Sequence, residues 1–194
     1  MLVLADRSVL GKAYRYVEIK SRATDVSRMR PMTATDQQLF EAELSSMQPM
    51  RCFSEKLRTA WVAFGNHTLT SPHGKSFRES TTALELGAAL RATHVRLVPE
   101  TRPDFELRIS EATQAFEATD VDAADRRRGD EYKALRRLPN AGGMHITHLP
   151  CTHTPSDPEI AAKVAAAAIN KAKMGYCKDI GLVIQVNFFN FRTM

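Results

Sequence analysis

A chain of 194 residues, 43% hydrophobic and 25% charged, is long enough for one well-buried core and has the composition of a globular protein, not a disordered one. It holds no run of about 18 apolar residues to span a bilayer, and its opening MLVLADRSVLGKAYRY lacks signal-peptide order, so a cytoplasmic protein without a membrane is expected. The net charge of +5 admits a polyanionic partner, since counterion release favours binding to phosphates, while scattered Cys52, Cys151 and Cys177 exclude a disulfide framework.

In the basic first thirty residues, Tyr14, Tyr16, Val17 and Ile19 can form a short strand. Residues 35–48, TDQQLFEAELSSMQ, read as a helix capped by Thr35 or Asp36, with Leu39, Phe40, Leu44 and Met47 in one stripe and Pro49 ending it. SEKLRTAWVAF reads as a second helix, presenting Leu57, Trp61 and Phe64 at helical spacing. The polar stretch NHTLTSPHGKSF, with Pro72 and Gly74, reads as a loop and as the internal boundary. It separates a helical N-terminal region, 1–75, from a core, 76–194, on which that region packs.

STTALELGAALRATH then reads as a helix, followed by VRLVP, DFELRI and AFEAT as three short strands with polar turns between them. DVDAADRRRGDEYKALRRLP is densely charged and helical in part, PNAGG is a turn, and GMHITHL is a short strand. SDPEIAAKVAAAAINKAKMGY is the most regular helix, with Ser156 as cap, Pro158 in the first turn and many alanines. The closing IGLVIQVNFFNF is a nearly unbroken apolar run that suits an interior strand covered on both faces. The order α-β-β-β-α-β over roughly 78–190 defines a mixed α/β fold.

Three carboxylates stand out by position. Glu85 flanks the apolar face of the helix that opens this region. Asp104 follows Pro103 at the start of a strand, and Glu117 lies in the next one, where it shares a face with Thr119 and not with Phe116 or Ala118. Pairing the two strands as a hairpin brings Asp104 and Glu117 together. Converging carboxylates are hard oxygen donors suited to Mg²⁺ or Mn²⁺, which can activate water against a phosphodiester.

A helix with Glu85, a strand, Pro103-Asp104 opening a strand and Glu117-Ala118-Thr119 in the next together resemble the PD-(D/E)XK nucleases, the restriction endonuclease-like superfamily. The alanine-rich helix with Lys171 and Lys173, then a buried strand, continues that order of elements over a little more than half the chain. The resemblance implies a restriction endonuclease-like mixed central sheet flanked by helices, with a helical N-terminal extension. It also implies Asp104 and Glu117 as ligands for Mg²⁺ or Mn²⁺, Glu85 in support, DNA as substrate and a homodimer as an unsurprising assembly. The chain departs from the family at Thr119, where a lysine normally polarises the attacking water. The missing charge comes from Lys133, Lys171 or Arg126, or catalysis is lost and the domain binds nucleic acid or a protein partner instead.

Beyond this, Arg126, Arg127, Arg128, Lys133, Arg136 and Arg137 form a basic segment. It suits phosphate through forked guanidinium donors, or it is a solvated helix pairing its own Asp125, Asp130 and Glu131. His145, His148, Cys151 and His153 crowd nine residues without a usual zinc spacing, so an ordinary turn is weighed against a zinc-stabilised interaction protein. His145 or His148 bordering the carboxylates for proton transfer, and Cys151 as a thiol nucleophile, are further readings with no identified partner groups. Phosphate-cradling glycine loops are absent from the sequence.

Overall fold

The computed structural model describes residues 2–5, 30–65, 67–99, 102–122, 156–175 and 179–187. Helix α1 spans Ala34–Leu44, with Thr33 as its cap: the Thr33 hydroxyl accepts from the Asp36 N–H, and the Asp36 carboxylate accepts from the Thr33 N–H. The cap therefore lies ahead of Thr35 and Asp36. Phe40 and Leu44, one turn apart, are buried, but Leu39 is 62% exposed because a neighbouring residue points about 100° away. The expected stripe is accordingly narrower. The helix stops at Leu44, well before Pro49, and Gln48–Pro49 becomes β2, an edge strand where a missing N–H costs nothing.

Helix α2, Met50–Phe64, begins four residues before the expected segment and buries Phe53, Leu57, Ala60 and Phe64. The polar stretch after it is not a loop. It holds the short helix α3, His67–Thr70, and a 3-10 turn, Pro72–Gly74, which runs straight into α4, Lys75–Ala89. Gly74 lies so close to α3 that a Cβ there would sit 1.8 Å from the Thr68 carbonyl oxygen. Phe77, in the first turn of α4, packs against both Phe40 and Trp61. One apolar core thus joins Met32 and Phe53 on the N-terminal side to Val95 and Phe116 in the sheet.

The strands β1 (Leu2–Ala5), β3 (His94–Leu97), β4 (Phe105–Ile109), β5 (Ala112–Asp122) and β6 (Ile180–Asn187) complete a mixed sheet of order β1-β6-β5-β4-β3-β2. β3, β4 and β5 form an antiparallel meander, and β6 lies parallel to β5 on one side and to β1 on the other. The return from β5 to parallel β6 passes through α5, Asp157–Lys173, because a hairpin cannot join parallel strands. Ser156 and Glu159 form the box that starts α5.

Alternation along the strands separates two cores. Phe105, Leu107, Phe116 and Val183 pack beneath α1, α2 and α4. Val121 and Ile184 meet Ile160, Val164, Ala167 and Ala168 of α5 on the other side. β6 is the interior strand its apolar sequence calls for, and the layers run helix, sheet, helix. The protein is mixed α/β, and no helix among the described residues is long and apolar enough to cross a membrane.

Gly181 shows how tightly the meander meets β6: a Cβ there would lie 2.6 Å from Cδ1 of Phe116, a ring with no solvent exposure. Gly181→Ala is expected to destabilise the fold by about 1–3 kcal/mol, the usual cost of overpacking a core. A denaturation midpoint equal to wild type would contradict this packing.

Candidate active site

The backbone of Asp104 is held at the mouth of the meander. Its N–H donates to the Phe116 carbonyl at 3.0 Å, and its own carbonyl accepts from the Val98 N–H at 2.9 Å. The pairing of Phe105 with Phe116 therefore sets Asp104, just ahead of β4, beside the part of β5 that carries Glu117 and Ala118. Both acids are buried, each 6% exposed. Asp104 Oδ2 accepts from the Ala118 N–H at 2.8 Å, and Glu117 Oε1 accepts from Lys171 Nζ, in the last turn of α5, at 2.8 Å.

Helix α4 supplies two further groups. Lys75 Nζ lies 3.0 Å from Glu79 Oε1, one turn on, and Glu79 shares a hydrogen bond with Asp104. Burial first, and then the charge of Asp104, push the Glu79 carboxyl up to about 7 against the opposing pull of Lys75. Asp104 is also raised, chiefly by burial and then by the charge of Glu117, although the Ala118 N–H and Lys75 oppose the shift. Three carboxyls and two ammoniums thus converge, with a hydrogen bond between Glu79 and Asp104.

This arrangement gives the fold a pH dependence with a defined sign. With Glu79 raised from 4.5 to about 7, the folded chain binds more protons than the unfolded one between those values. Its contribution is complete below pH 4.5 and is lost as pH rises through 7, amounting to at most about 3 kcal/mol. Denaturation midpoints taken from pH 5 to pH 8 should fall across that window, and Glu79→Gln should flatten the fall. An unchanged slope in the variant would contradict the assignment.

The hairpin brings Asp104 and Glu117 together as expected. Glu85 is placed elsewhere: it accepts a 3.4 Å bond from Gln185 Nε2 of β6. Six residues on a helix turn the side chain roughly 120° from the direction of Glu79, so both cannot face Asp104. Glu79 therefore takes the position expected of Glu85. Thr119 follows Glu117 on the same face, opposite Ile184, and brings no charge, whereas Lys171 delivers an ammonium to Glu117 from across the layer. Arg126, Arg127, Arg128, Lys133, Arg136, Arg137 and the His145–His153 stretch with Cys151 lie outside the described residues.

Lys75 and Glu79 are hidden by their neighbours in sequence. Pro72 and Gly74 mark a loop, yet Lys75, Phe77 and Glu79 already carry helical spacing and an i,i+4 ion pair. Beside Glu117 and Lys171 opens a pocket of about 220 Å³, walled by Ala168, Ala172, Ile180, Gly181 and Leu182.

Among the described residues, no three His, Cys, Asp or Glu side chains form a ready-made metal cage. A hard dication needs none, since Mg²⁺ typically takes one or two carboxylates and completes its shell with water and phosphate oxygens. Asp104 and Glu117 are buried oxygen donors side by side, and Asp104 is raised first by burial and then by the charge of Glu117, a cost that a dication between them would offset, so this pair fits such an ion. Comparison with protein-family models, curated proteins and solved structures finds no match for this chain.

Proposed function

We propose that this chain is a restriction endonuclease-like, metal-dependent nuclease that hydrolyses phosphodiester bonds of DNA. The observation that carries the reading is the buried pair Asp104 and Glu117, brought side by side by the β4–β5 hairpin with the Lys171 ammonium 2.8 Å from Glu117. The order α4-β3-β4-β5-α5-β6, an antiparallel meander followed by a parallel strand, supports the finer fold assignment. In this reading Asp104 and Glu117 hold Mg²⁺ or Mn²⁺, which supplies charge neutralisation at the phosphate and a more acidic water.

The chain's own groups then have distinct tasks. Lys171 orients Glu117 and provides the positive charge that Thr119 cannot. Glu79 holds Asp104 through the hydrogen bond between them, and Lys75 limits the negative potential of the cluster. Titrating Mg²⁺ and Mn²⁺ into plasmid and linear DNA, with Glu117→Ala as control, tests the proposal. Cleavage that needs metal and vanishes in the control is expected. No cleavage with either ion would leave a binding module of the same architecture, the reading favoured by Thr119 alone.

A further inference from the structure

Among the described residues, the sheet face that carries Glu117 is covered across only part of its width. α5 packs on β5 and β6, while α1, α2 and α4 occupy the opposite side. Strand register extends the Glu117 face over the meander: Ala115 stands beside Glu106 and Glu106 beside Arg96, while Thr113 stands beside Arg108 and Arg108 beside His94. The alternate residues Val95, Leu97, Phe105 and Leu107 are buried in the helix-side core. On the open side His94, Arg96 and Glu106 are half-exposed and Arg108 is exposed.

The polar row is predominantly basic. Its one acid, Glu106, accepts from Arg96 Nε at 2.8 Å, which fixes that guanidinium in place. Arg108 has no ion-pair partner among the described residues. Glu106 and Arg108 alternate along one side of β4 at a step of about 7 Å, and Asp104 directly precedes that strand, so the basic row begins at the end of β4 nearest the acid pair. Arg102, exposed, stands just ahead of Asp104 at the same end.

We infer that this open half-face, through Arg96 and Arg108, is the track on which the phosphate backbone of DNA lies as it enters the Asp104–Glu117 site. Guanidinium forks match phosphate oxygens, and a half-covered antiparallel sheet offers a flat row of them at strand spacing. The inference rests on the proposed function for its substrate, but it assigns the grip to residues other than the basic segment at 126–137.

The test measures binding of a short fluorescent duplex to the full chain without divalent metal, between about 50 and 200 mM salt. Arg108→Glu is expected to weaken binding at least about tenfold and to lower the slope of log K against log salt by about 0.9 for each phosphate no longer neutralised. Glu106→Gln should tighten binding, a direction that structural damage would not produce. Thermal midpoints report folding, and Arg108→Gln replaces the glutamate variant if the latter unfolds. Unchanged affinity and slope in the Arg108 variants would overturn the track, as would no binding by wild type. Metal-dependent cleavage, read separately on the same proteins, distinguishes failure of the track from failure of the nuclease reading.

Discussion

On the proposed function, Asp104→Asn or Glu117→Gln should slow metal-dependent DNA cleavage by at least about 10³-fold, while Glu85→Gln leaves it within about twofold. The size follows from the chemistry required: a metal neutralising charge on a phosphodiester contributes several kcal/mol, and each 1.36 kcal/mol is tenfold in rate. Amide replacements keep the shape of buried side chains, so Asp104→Asn retains an oxygen for the Ala118 N–H while losing the charge. Glu79→Gln should fall between these limits, at about 10–100-fold, the usual cost of disturbing a group that orients a metal ligand. The ranking of the variants is the decisive feature. If Glu85→Gln matched Glu79→Gln, the site would centre on a different turn of α4. Steady-state cleavage rates, with circular dichroism to show retained folding, decide the matter.

Lys171→Met should destabilise the protein by about 3 kcal/mol, since removing one member of a buried ion pair strands the other charge. Glu117 is 8% and Lys171 20% exposed at the side chain, so water can replace the ammonium only in part. The double variant Lys171→Met, Glu117→Gln should recover most of that stability, because a neutral amide needs no counter-charge. A double-mutant cycle from denaturant unfolding measures this coupling directly. Strict additivity would mean that the 2.8 Å ion pair is energetically idle. On the proposed function, Lys171→Met also lowers cleavage in a way Lys171→Arg partly restores.

Much of this architecture is legible in the sequence because hydrophobic period and element order are written locally. The strands around Val95, Phe105 and Phe116, the capped helix from Ser156 and the interior strand from Ile180 all announce themselves by pattern. The hairpin also follows from turn spacing, and with it the meeting of Asp104 and Glu117.

The parts that pattern does not reveal depend on tertiary placement. Pro72 and Gly74 look like loop residues, yet they form the tight entry to α4 against the Thr68 carbonyl. Local pattern therefore starts the helix too late and favours Glu85 over Glu79. Leu39 looks like core because its one-residue offset from Phe40 is invisible until the helix docks. Lys171 can be named among candidates for the missing charge, but choosing it requires knowing that the last turn of α5 lies over Glu117. Nothing local signals that crossing, since Lys171 and Glu117 lie 54 residues apart in sequence.

The most direct test of the carboxylate site is calorimetric titration of Mn²⁺ into the full chain near pH 7 in buffers of different ionisation heat. Saturable binding that releases protons is expected, because a cation entering beside Asp104 displaces the proton on Glu79, whose carboxyl burial pushes up to about 7. Asp104→Asn should abolish both the binding and the release. Absence of Mn²⁺ binding by wild type, or binding unchanged in Asp104→Asn, would contradict this site.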